Sequence, residues 1–204
     1  LALQEQGCHN INLVSPSHNI PQIINSILIA KKKGLVLPIV YNSNGYDSVS
    51  SLKLLEGMVD IYLPDIKYAD NKMSEKYSNT ADYVEVSQLA VLEMARQVGN
   101  LVIKDGLAKK GIIIRHLVMS HNISGADKVL KFISEKISKH TYISLMNQYY
   151  PCYKAHNFPE ISKRISLEEY EDACNLLFKY ELYNGWIQEE PCDEIKDKFI
   201  GENL

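Results

Sequence analysis

Short apolar runs rich in Val, Ile and Leu alternate along this chain with longer stretches in which apolar residues recur at helical spacing. The short runs predict strands over residues 11–15, 38–42, 59–64, 111–118, 141–146 and 185–188. The first predicted helix, over residues 21–34, has Pro21 near its start, Lys31, Lys32 and Lys33 in its last turn and Gly34 at its end. A shorter helix follows over 47–57, with Asp47 and Ser48 as capping candidates and Gly57 as the stop. Between residues 82 and 98, Val84, Val86, Leu89, Leu92, Met94, Ala95 and Val98 form an apolar stripe, which predicts a third helix. Further helices are expected over 124–138 and from Ser166 to about Tyr180, the latter opened by the capping box Ser166-Leu167-Glu168-Glu169. The segment 65–81 reads as a polar connection, 101–110 as a β-excursion or loop around Asp105-Gly106, and 147–164 as a Tyr/Pro-rich loop.

Strands that alternate with helices imply right-handed crossovers and a parallel sheet. Five such strands and a short sixth are too few for a closed eight-stranded barrel. They suit an α/β partial barrel, or an open sheet that lacks an N-terminal unit. Residues Leu1 to Gly7 read as the last turn of a helix closed by glycine, so the chain is expected to begin inside a longer protein. Residues 1–190 are expected to form one incomplete barrel domain, and 191–204 an acidic tail that frays.

Composition narrows the function. The chain has 204 residues, 46% of them hydrophobic and 23% charged, and its net charge of −3 argues against a nucleic-acid binder held by phosphate contacts. Its longest mostly apolar stretch, Ile20 to Ala30, is broken by Pro21, Gln22, Asn25 and Ser26, so no membrane span and no secretory leader are expected. Cys8, Cys152, Cys174 and Cys192 are widely separated, which offers no metal or cluster spacing and fits a reducing cytoplasm.

The candidate chemistry lies where the strands end. In parallel β/α folds the strand C-termini converge on the face that carries the active site. Here they end in Ser15, Ser17 and His18; in Asn42, Ser43 and Asn44; in Asp65 and Lys67; and in Arg115 and His116. Asp65 and Lys67, two apart on an extended chain, point to the same side. They can bind the charged groups of an amino-acid ligand, supply a Schiff-base lysine, or simply form an ion pair. Asn42 and Ser43 suit a ribose or a carboxylate, or an ordinary turn. Arg115 and His116 point to opposite faces, and one of them is expected at the mouth. His18 is a ligand or a helix-cap residue. Tyr149, Tyr150 and Tyr153 can stack on a purine or pack on the strand ends.

The segments GCHNINLVSPSHNIPQI (7–23), PIVYNSNGY (38–46), VDIYLPDIKY (59–68), KYSN (76–79), RHLVMSHN (115–122), SLMNQYYPCYKA (144–155) and NGWIQE (184–189) occur in that order. Together they resemble the radical S-adenosylmethionine superfamily, in particular proteins related to pyruvate formate-lyase activating enzyme. The resemblance implies a partial (β/α)6 barrel of the TIM type, of which this chain lacks the first β/α unit, with a [4Fe–4S] cluster. It also implies reductive cleavage of S-adenosylmethionine to a 5′-deoxyadenosyl radical that abstracts hydrogen. The partners it implies are a glycyl-radical enzyme and an electron donor such as flavodoxin or ferredoxin.

The same resemblance implies cofactor contacts from Ser15, Ser17 and His18, which stand where relatives carry Gly-Gly-Glu. It adds Asn42 and Ser43 at the position of Asp-Thr, Asp65 and Lys67 as the Asp-x-Lys pair, Arg115, and Gln148 for a ribose contact. The family's CxxxCxxC loop belongs upstream of residue 1, so the chain alone is expected to be inactive and a weak binder of the cofactor. Two other readings remain open: a barrel aldolase with Lys67 as its Schiff-base lysine, and a non-catalytic barrel that binds a nucleotide or a partner protein.

Overall fold

A computed structural model describes residues 1–188 and the backbone of 197–199. In chain order the elements are α1 (Ala2–Glu5), β1 (Ile11–Val14), α2 (Ile20–Lys32), β2 (Ile39–Ser43), α3 (Val49–Leu54), β3 (Ile61–Pro64), α4 (Asn71–Ser78), α5 (Tyr83–Val98), β4 (Val102–Lys104), β5 (Leu107–Leu117), α6 (Ala126–Lys136), β6 (Tyr142–Met146), α7 (Leu167–Lys179), β7 (Gly185–Gln188) and β8 (Asp197–Phe199). The chain divides into two compact units, one of Leu1–Pro64 with Val86–Ile113 and one of Asp65–Glu85 with Ile114–Leu204.

In the first unit β1, β2, β3 and β5 lie side by side and parallel. Register fixes the two faces, because residues paired across parallel strands point the same way. One face carries Ile39, Tyr41 and Tyr62, all essentially buried. It is tied to helices through the Tyr62 hydroxyl, which donates to Gln97 Oε1 at 2.7 Å, while Gln97 Nε2 donates to the Leu52 carbonyl at 2.9 Å. The opposite face carries Asn12, Val14, Val40, Asn42, Ile61 and Leu63; Val40 and Ile61 are buried, and the face is open beyond them, with Val14 67% exposed.

In the second unit β5 neighbours β6, β6 pairs in parallel with β7, and β7 pairs antiparallel with β8. Leu130, Ile133, Ile143, Leu145 and Leu177 are fully or almost fully buried there. A second cluster joins Tyr68, Tyr83, Met119, Ile123 and Ile161, with Tyr77, Tyr149 and Phe158 packed on it. The capping box of α7 forms as expected: the Ser166 hydroxyl accepts from the Glu169 N–H, and the Glu169 carboxylate accepts from the Ser166 N–H.

The structure departs from the sequence expectations or refines them in three places. The polar connection contains a helix, α4, started by Asp70, whose carboxylate accepts from the Lys72 N–H at 2.8 Å. Its composition hid it: of eight residues only Met73 and Tyr77 offer large apolar side chains, so the segment read as a polar connection. The 101–110 segment is the expected β-excursion, a hairpin: Asp105 and Gly106 both have positive φ, 53° and 74°, as a two-residue primed turn demands. The fourth expected strand accordingly starts earlier, at Leu107. Of the expected acidic tail, Asp197–Phe199 forms β8 and the rest lies outside the described residues. Among the described residues no helix is long and apolar enough to cross a membrane.

Candidate functional site

Each unit gathers some of the strand-end residues singled out from the sequence into a polar cluster. In the first, the organising group is the Asp47 carboxylate. It is buried and accepts from three hydroxyls: Ser17 at 2.6 Å, Tyr41 at 2.8 Å and Ser43 at 2.6 Å. Ser43 Oγ also accepts from the Gly45 N–H at 3.1 Å, closing the turn after β2. A buried carboxylate needs such donors, because an ionised group taken from water is costly unless its lone pairs are filled. Burial and the adjacent Asp47 charge push the Tyr41 phenol up from its ordinary value, so it stays a donor.

The structure places the residues of this cluster differently from one another. Asn42 lies on the open face of the sheet, paired in register with Val14 and Leu63, whereas Ser43 points to the helix-covered face and its hydroxyl is committed to Asp47. Ser17 is committed in the same way. Ser15 has φ 51° and ψ 51°, the left-handed region that glycine favours, and His18 is exposed within a short 3-10 turn over Pro16–Asn19. Asp47 was expected only as a helix cap. Ser48 occupies that position without a side-chain cap bond, and Asp47 turns inward. From sequence alone, the signal for this role was an acidic residue four positions after a strand-end serine.

The second cluster surrounds Asp65. Lys67 Nζ donates to Asp65 Oδ2 at 2.6 Å, and Arg115 Nε lies 2.7 Å from Asp65 Oδ1. The arginine contact is an ion pair whose Nε–H is not directed at the oxygen. The side chains of Asp65, Lys67 and Arg115 are 13%, 39% and 26% exposed, so the cluster is open at the lysine. Two cations thus lie against one carboxylate. The expected same-side placement of Asp65 and Lys67 is therefore realised as an ion pair, and Arg115 is the member of the Arg115–His116 pair that joins it. Gln148 is exposed, with Nε2 3.4 Å from Met146 Sδ, while its neighbour Asn147 is buried and its N–H donates to Gln188 Oε1 at 2.8 Å.

His116 is the buried partner of Arg115. It is fully buried, and its Nδ1 lies 2.6 Å from the Ile66 carbonyl. A carbonyl only accepts, so Nδ1 carries the proton. Burial, the largest influence, drives the imidazole from 6.5 down to about 4. The unfolded chain thus binds this proton near pH 6.5 and the folded chain only near pH 4, so stability falls as pH drops through that interval. The expected loss is about 3 kcal/mol. Denaturant titrations at pH 7 and pH 4.5 check this: the fall should be markedly smaller in His116→Asn, and an equal fall in both proteins would contradict it.

Among the described residues no group of three His, Cys, Asp or Glu side chains could hold a metal ion. Cys8 and Cys174 are half-buried and Cys152 is exposed, each as a free thiol. Burial pushes the Cys174 thiol up to about 11, which keeps it protonated and unreactive at neutral pH.

No family model matches the chain. It is 34% identical over 176 residues to the uncharacterized protein MJ0674 of Methanocaldococcus jannaschii, an alignment that covers 85% of this chain and 47% of that protein. The chain thus spans about half the length of the curated relative it matches. A crystal structure of a domain of pyruvate-formate lyase-activating enzyme from Bacteroides vulgatus superposes with a TM-score of 0.61 at 12% identity, covering 85% of this chain and 95% of that one. The two share a fold. It is a mostly parallel α/β sheet of the partial TIM-barrel kind, in agreement with the architecture expected from the alternating strands and helices.

Proposed function

We propose that this chain is part of a radical S-adenosylmethionine protein of the activating-enzyme kind, and that Asp65, Lys67 and Arg115 receive the amino-acid end of the cofactor. The observation that carries the reading is the Asp65–Lys67–Arg115 cluster, with two cations against one carboxylate and its opening at Lys67. The shared fold and the ordered sequence segments support it. Two cations around one carboxylate suit a zwitterionic ligand: Lys67, the more exposed cation, can take up the carboxylate of the ligand, while Asp65 can share its oxygens with an ammonium. When bound, S-adenosylmethionine supplies a carbon–sulfur bond whose one-electron cleavage begins hydrogen abstraction. This chain's part would be to orient the methionine end. Asn42, on the open face of the first unit, would offer an amide to a polar group, and Ser15, His18 and Gln148 remain proposed contacts. Ser17 and Ser43 would act indirectly, through Asp47.

The described residues do not fit an iron–sulfur cluster. On this reading the partners are a glycyl-radical enzyme and an electron donor of the flavodoxin or ferredoxin type.

Calorimetric titration tests the cofactor assignment. S-adenosylmethionine should bind at least about tenfold more tightly than 5′-methylthioadenosine, which lacks the amino-acid end, and Lys67→Ala should remove most of that difference, about 1.4 kcal/mol. Equal affinity for the two ligands in the wild-type chain would overturn the assignment. Trapping of Lys67 by borohydride with an aldehyde or keto compound would favour the aldolase instead.

A further inference from the structure

The backbone that carries Asp65 and Lys67 is held from behind by two buried side chains. Residues 65–67 follow the end of β3, and there ladder pairing is reduced to a single bridge between Asp65 and Arg115. The Ile66 N–H donates to the Arg115 carbonyl at 2.9 Å. Three further polar groups of the tripeptide go to side chains. The Ile66 carbonyl accepts from His116 Nδ1 at 2.6 Å. The Lys67 N–H donates to the Tyr83 hydroxyl at 2.9 Å, and that hydroxyl in turn donates to the Asp65 carbonyl at 3.3 Å. His116 is fully buried and Tyr83 is 4% exposed, so neither competes with water for these bonds.

The imidazole at position 116 comes with a cost that an apolar residue would avoid. With Nδ1 protonated, Nε2 is a bare lone pair, buried and without a hydrogen-bond partner among the described residues. What the ring supplies in return is the bond to Ile66. Because residues two apart on an extended backbone project to the same side, fixing the peptide groups of residue 66 fixes the line along which the Asp65 and Lys67 side chains leave the chain.

We propose that His116 and Tyr83 are positioning residues, a buried clamp on the 65–67 backbone that sets the Lys67 ammonium against the Asp65 carboxylate. The proposal rests on reading Asp65 and Lys67 as the ligand-facing pair, not on which ligand they face. It assigns His116 and Tyr83 no contact with that ligand.

The test reads the geometry directly in the ligand-free chain, by NMR of the lysine side-chain ammonium groups. An ammonium held by a carboxylate exchanges its protons slowly, and the Lys67 signal is identified by its loss in Lys67→Arg. Asparagine places an amide N–H near the position of Nδ1 and leucine does not, so His116→Asn should keep the distinct Lys67 signal and His116→Leu should lose it. Tyr83→Phe, which removes one oxygen atom and leaves the ring packed, should lose it as well, and it decides the matter alone if the leucine variant does not fold. A role in packing alone would give the reverse order, with leucine tolerated and asparagine not. Retention of the signal in His116→Leu or in Tyr83→Phe would overturn the proposal, as would its absence from the wild-type chain. If S-adenosylmethionine fails to bind the wild-type chain, the cofactor assignment falls while the ammonium signal still decides the clamp.

Discussion

Replacing Gly185 by alanine is expected to remove about 4 kcal/mol of stability, from a backbone conformation reserved for glycine together with direct overlap. Gly185 opens β7 opposite Ile143 of β6, with φ at +128°, and a Cβ there would lie 1.9 Å from the Ile143 carbonyl oxygen and 2.6 Å from its nitrogen. Neither atom has room to retreat. Ile143 is fully buried, and its N–H is bonded to the Asn184 carbonyl at 3.0 Å. A domain of this size has roughly 5–15 kcal/mol in total, so the variant should sit near the edge of folding. Gly57→Ala is the control: its φ is +77° but nothing lies within 4 Å of an added Cβ. It should cost only about 1 kcal/mol. Denaturant midpoints for the two variants check the pair, and similar values would show that β6 and β7 can separate at Gly185.

Asp65→Ala should be the most damaging change in the polar cluster. It leaves the Lys67 and Arg115 cations facing each other without the carboxylate that now touches both, at 2.6 and 2.7 Å. For a fully buried pair the loss would be about 3–5 kcal/mol, but the partial exposure of all three groups reduces it to about 2 kcal/mol. Asp65→Asn should lose less, because the amide oxygen still accepts one bond. If the loss is electrostatic, added salt will narrow the gap between Asp65→Ala and the wild type, since screening weakens the repulsion that the variant creates. An Asp65→Ala chain as stable as wild type, with no salt dependence, would mean that the cations simply swing into water. On the proposed function the same variant binds S-adenosylmethionine at least about tenfold more weakly.

The parts of this protein legible in its sequence are those set by local patterning. The apolar runs marked each strand of the parallel series to within a few residues, because burial on one or both faces leaves its imprint on residues that are neighbours in the chain. The α7 capping box was legible for the same reason: its donors and acceptors lie three residues apart. The same-side placement of Asp65 and Lys67 follows from extended geometry alone. Helix α4 was missed because it is short and mostly polar, with only Met73 and Tyr77 to mark its buried side.

Tertiary structure decided which polar residues are spent on holding the fold. Ser43 and Asn42 are adjacent, yet strand register sends one to Asp47 under the helices and leaves the other on the open face. Between Arg115 and His116, the sequence could say only that they diverge. The strand's packing sent the arginine to Asp65 and sealed the histidine against Ile66. Tyr83 gave no sign of its part, since its partners, Asp65 and Lys67, lie 18 and 16 residues away. Sequence by itself determined the order of strands and helices and the charge at each strand end, because those depend on neighbours along the chain. Which of those charges meet, and which glycine cannot bear a side chain, depended on groups brought together only by folding.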